Sequence, residues 1–74
     1  MKSLSGPVIV RFGDHIAPDR VAGMVSGMAA YGNVWAGASD REFSVEVFRA
    51  SKLKGLERQL LEWERYGFLS WTAP

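Results

Sequence analysis

The sequence predicts a small α+β sandwich in which a four-stranded antiparallel sheet carries two helices on one face. Three observations predict it. Four short β-prone runs alternate with two segments of helical spacing in the order β-α-β-β-α-β. The second half also repeats landmarks of the first: Tyr31-Gly32 and Tyr66-Gly67 close the two helical segments 35 residues apart, and Phe12 and Val47 end the preceding strands at the same separation. Two β-α-β units interleaved in this way form a ferredoxin-like sandwich, which leaves the second face of the sheet uncovered.

Each element has its own justification. In "PVIVRFG", Val8, Val10 and Phe12 alternate with Ile9 and Arg11, the period-two pattern of a strand with one buried face. "APDRVAGMVSGMAAYG" places Pro18 in the first helical turn, sets Val21, Met24, Val25 and Met28 on one side, and stops at Gly32. "NVWAGAS" and "REFSVEVFRA" are β-prone and separated only by Ser39-Asp40, too short for a helix, so they form an antiparallel hairpin. Ser51 is the expected cap of a second helix, "KLKGLERQLLEWERY", whose Leu53, Leu56, Leu60 and Trp63 form one stripe and whose stop is Gly67. "FLSWT" supplies the last strand. No linker or low-complexity stretch interrupts residues 1–74, which are expected to form a single domain.

Composition narrows the function. With 74 residues the core is near the lower size at which a fold holds without a staple, and with zero cysteines and one histidine, His15, neither a disulfide nor a thiolate metal site is available. No metal and no cofactor are expected, and the absence of cysteine fits a cytoplasmic setting. A net charge of +1 lacks the positive field by which phosphate-backbone binders gain affinity. Residues 21–39 carry no charge, and Gly23 and Gly27 have the spacing that packs membrane helices. That stretch is nevertheless rich in Gly, Ala and Ser rather than Leu or Ile and is cut by Tyr31-Gly32-Asn33, so no membrane span is expected. The amino terminus lacks the apolar block of an export signal.

"REFSVEVF" resembles the central strand of RNA-recognition motifs at Arg41, Phe43 and Phe48, which implies single-stranded RNA stacked on the open sheet face. In that family the third and fifth residues of the strand face the RNA. The same parity here would expose Phe43 and Val45 and drive Glu46 into the apolar layer, where an unpaired carboxylate is costly. The opposite register buries Phe43, Val45 and Val47 and leaves Ser44, Glu46 and Phe48 outside, and it is the one expected. The family's glycine and second stacking aromatic are Glu42 and Val45 in this chain.

"GDHIAPDRVAGMVSGMAAYGNV" resembles the ACT family of small regulatory domains, with an acidic residue before the helix and Gly32-Asn33-Val34 after it. The resemblance implies the same topology and a small ligand, an amino acid, near the loop before the first helix, where Ala17-Pro18 stands in place of the family's Pro-Gly. Asp14-His15 lies in that loop without a companion nucleophile or oxyanion donor, and Glu57 and Glu64 are too far apart along their helix to act as an acid/base pair. No enzyme is expected.

Two surfaces remain. The open sheet face is expected to present Ile9, Arg11, Trp35, Ser44, Glu46, Phe48, Ser70 and Thr72, with Arg11 and Glu46 placed to pair across the central strands; Val34 would replace Trp35 outside if the tryptophan turned inward. The outer face of the first helix presents Gly23, Ser26, Gly27 and Ala30, almost without charge, where another backbone can approach closely. Exposed aromatics beside an isoleucine form the kind of patch that interfaces use as anchors. The expectation is a non-catalytic interaction module, a regulatory subunit or small inhibitor of a larger complex, docking another protein or a second copy of itself. An ACT-like sensor and an RNA binder are the alternatives.

Overall fold

The computed structural model describes residues 7–73. The amino-terminal segment, in which no export signal is expected, lies partly outside the described residues. The element order is β1 (Val8–Phe12), α1 (Pro18–Met28), β2 (Asn33–Ala36), β3 (Glu42–Glu46), α2 (Ala50–Arg65) and β4 (Leu69–Thr72). The strands form one sheet in the order β2-β3-β1-β4, and every neighbouring pair is antiparallel. The first strand of each half therefore lies between the two strands of the other: β3 separates β2 from β1, and β1 separates β3 from β4.

Register decides which side chains face the helices. Val8 lies opposite Val45, Val10 opposite Phe43 and Trp71, and Phe12 opposite Leu69. Cross-strand partners point to the same side, so these residues form one inner layer. Val8, Val10, Phe12, Val45 and Leu69 are buried and share a single core with Val21, Met24 and Met28 of α1 and Leu56 and Leu60 of α2. Both helices thus cover the same face. Glu46 points the other way and is only partly covered, and among the described residues no charged side chain is buried. Trp71 Nε1 is buried without a hydrogen-bond partner among the described residues, and nothing in the structure explains it.

The helix ends differ from the expected bounds. α1 stops at Met28 rather than running to Gly32; Ala30 and Tyr31 donate back to the carbonyls of Gly27 and Met28, and this tightened turn carries the chain from the helix layer down to β2. Ser51 does not cap α2. The helix begins at Ala50 after an extended Arg49, and no side chain bonds its first turn. Gly67 does end it: at φ 78° it lets Phe68 N–H reach the Trp63 carbonyl at 3.1 Å and its own N–H reach Glu64 at 3.0 Å, the paired bonds of a Schellman stop.

Candidate interaction surface

The uncovered face of the sheet is built from residues that alternate with the core. Its middle row crosses all four strands in register: Trp35 on β2, Ser44 on β3, Ile9 on β1 and Thr72 on β4. Trp35 is 55% exposed and Ile9 37%, and both carry large apolar surface into solvent on a face that, among the described residues, no element covers. The short Ser44 lies between these two larger side chains in the row. One row nearer the β2–β3 turn, Arg11 lies opposite Glu42 on one side and Ser70 on the other. Toward the other end, Glu46 lies opposite Asn33.

The structure brings Ile9, Arg11, Trp35 and Glu46 to this face and separates others that the sequence grouped with them. Arg11 and Glu46 do not pair, because the register puts Arg11 beside Glu42 and Glu46 at the opposite end of β3. Phe48 is not on the sheet. β3 ends at Glu46, the partner of Asn33 where β2 begins, so on the β2 side no strand pairs with residue 48. Beyond it Val47 turns inward, and half-buried Phe48 lies in the climb to α2, beside a shallow depression shared with Ala29, Tyr31 and Lys52. Trp35, for which either orientation was open, faces solvent, and Val34 packs toward the core.

The small residues of the first helix also divide. Gly23 and Ser26 are exposed, and a methyl group added at Gly23 would meet nothing within 4 Å. One added at Gly27 would lie 3.7 Å from Trp63 Cη2, so Gly27 borders α2. Ala30 lies beyond the helix end in the turn to β2.

Arg41, which the sequence marked only for its likeness to an RNA-binding strand, ties the hairpin to the loop before α1. Arg41, at the tip of the β2–β3 hairpin, is only 22% exposed, and its Nη1 donates to the carbonyl oxygens of Gly13 at 2.9 Å and Ile16 at 2.7 Å. Its Nε stands 3.9 Å from Asp14. The guanidinium therefore satisfies two carbonyls of the β1–α1 loop that no ladder reaches, while Arg41's own carbonyl accepts from Phe12 N–H at 2.8 Å. Ile16 is buried just ahead of Ala17, the N-cap of α1, and Val21 is buried at the fourth helical position, the spacing of a hydrophobic staple. That spacing is legible in the sequence; the reach of Arg41 across 25 residues to Ile16 is not.

Among the described residues no three His, Cys, Asp or Glu side chains are grouped to hold a metal ion. A concavity of about 470 Å³ runs along Arg58, Leu61, Glu62, Arg65 and Tyr66, all from α2 and its cap, and no second described element lines it. The depression on the open face, beside Ile9, Arg11 and Glu42, is about 190 Å³, below the roughly 300 Å³ at which ligand pockets begin. The Phe43 ring meets Phe12 edge-on at 5.9 Å on the helix side and is not presented on the open face. Among the described residues no helix is long and apolar enough to cross a membrane. No family model matches the chain, and neither a curated protein nor a solved structure does.

Proposed function

We propose that this chain is a non-catalytic protein–protein interaction module on a ferredoxin-like sandwich, acting in the cytoplasm as a regulatory subunit or small inhibitor of a larger complex. The observation that carries the reading is the in-register pair of Trp35 and Ile9, exposed around Ser44 on an uncovered sheet face. A large exposed aromatic beside an aliphatic, flanked by Arg11, Glu42 and Glu46, has the makeup of an interface: an apolar centre with a charged rim. In a domain with so small a core, those two side chains would stabilise the fold more if buried, and docking is what offsets leaving them outside. The exposed small residues Gly23 and Ser26 of α1 form the lesser part of the surface.

The test is co-purification of a bound protein by the full chain and by a double variant, Ile9→Ser with Trp35→Ser. The reading expects a stoichiometric partner held by the original chain and lost from the variant, with circular dichroism unchanged. A partner retained by the variant, or none held by the original chain together with no binding of a hydrophobic dye, would overturn it.

A further inference from the structure

We infer that the occupant of the open sheet face is a second copy of this chain, related by a two-fold axis that runs along the strands between β1 and β3. The inference rests on the docking reading above and names its partner. A two-fold interface requires a surface complementary to itself. An axis in that position lays β1 of one copy over β3 of the other, so residues that are cross-strand partners within one sheet meet again between the two sheets.

The register makes each of these meetings complementary. Ile9, opposite Ser44 within the sheet, would seat its side chain over the partner copy's small serine, and the serine would receive the partner's isoleucine. Arg11, opposite Glu42, would stand over the other copy's glutamate, giving two equivalent charge pairs. On the outer strands Trp35 would cover the short Thr72. Large meets small and positive meets negative in all three contacts, which keeps face-to-face packing within the spacing of about 10 Å that two sheets adopt.

The charges fit this use. Arg11 is exposed and makes no ion pair among the described residues, although Glu42 is its direct neighbour. One oxygen of Glu42 accepts the Ala38 N–H at 3.0 Å, which fixes the carboxylate and leaves its second oxygen for an incoming guanidinium. Aligned sheets cross at about 30°, which displaces outer strands more than central ones. The two central strands therefore carry the contact, and the length of Arg11 spans the offset.

The experiment is sedimentation equilibrium on the full chain and on two charge reversals, Arg11→Glu and Glu42→Arg, separately and mixed. The original chain is expected at twice its 8.2 kDa mass. Each reversal alone sets like charges against each other at both equivalent sites and is expected to weaken the dimer about a hundredfold. Mixing the two reversed chains restores opposite charges at both sites, so a dimer is expected to return, as it is in the double variant Arg11→Glu with Glu42→Arg. Dimers that persist in both single variants would place the interface elsewhere and overturn the inference. So would a monomer of the original chain at millimolar concentration. In that monomer, hydrophobic dye bound by the original chain and lost in Trp35→Ser would leave the docking reading standing with a foreign partner; no dye binding would remove both.

Discussion

Tyr31-Gly32 and Tyr66-Gly67 occupy equivalent places in the two halves of the chain, and the structure uses them in opposite ways. Gly67 has φ 78° and no atom within 4 Å of where a methyl group would sit, so its requirement is one of backbone conformation alone. Gly32 has no positive φ, but a methyl group there would collide with the carbonyl oxygen of Glu46, so its requirement is space between the chain leading into β2 and the end of β3. The tyrosines diverge as well. Tyr31 is half-buried and its ring lies over Gly55 of α2, where an added methyl group would come within 2.8 Å of it. Tyr66 is 67% exposed and stacks on Phe68 at 5.7 Å, with the guanidinium of Arg20 5.6 Å from the Phe68 centroid. Equal spacing in a repeated sequence therefore fixes where a turn falls, and the neighbours in space decide what the turn residues must tolerate.

The comparison can be broken from its strongest side first. Gly32→Ala forces backbone against backbone, which neither strand can yield without losing its pairing, and is expected to cost about 3 to 5 kcal/mol, enough to unfold most of the chain at 37 °C in a domain of this size. Urea denaturation would check it, and a loss below 1 kcal/mol would show that the approach to Glu46 relaxes freely. Arg41→Ala comes next at about 2 to 3 kcal/mol, from two charge-assisted hydrogen bonds to the Gly13 and Ile16 carbonyls. Because among the described residues no equivalent clamp holds the segment leading into α2, the same substitution should speed amide exchange over residues 13–17 far more than over residues 47–50. Equal acceleration in the two segments would contradict the local role.

Gly67→Ala is smaller, about 1 to 2 kcal/mol, since only the left-handed conformation is penalised; Gly67→Asn should recover part of it. The order of the two glycine-to-alanine losses is the sharpest measure of the difference between the halves. Smallest and of opposite sign, Gly23→Ala should stabilise by about 1 kcal/mol and raise Tm by roughly 4 to 8 °C, because the site is open and helical. No gain on thermal melting would mean that this face is already occupied in solution.

Much of the architecture could be read from patterns of local origin. Alternation in Val8 to Phe12 gave β1 its buried face, the spacing of Val21, Met24 and Met28 gave α1 its own, and the cost of burying Glu46 fixed the parity of β3. Element ends were less legible. Phe48 and Ala30 follow the same local patterns as their neighbours, and only the pairing of Asn33 with Glu46 shows that both lie outside the regular elements. The surface was partly legible for the same reason. Ile9 and Arg11 were set outward by alternation, whereas Trp35 could have faced either way until the partner strand was known.

What the sequence alone determined is thus the number, order and sidedness of the elements, because these follow from short-range periodicity and from the cost of burying a charge. Tertiary structure alone decided the row that joins Trp35, Ser44, Ile9 and Thr72, the placing of Arg11 beside Glu42, and the reach of Arg41 to the β1–α1 loop. Each of these joins residues distant in the chain, and register between separate strands is set by the packing of the whole sheet rather than by any one segment.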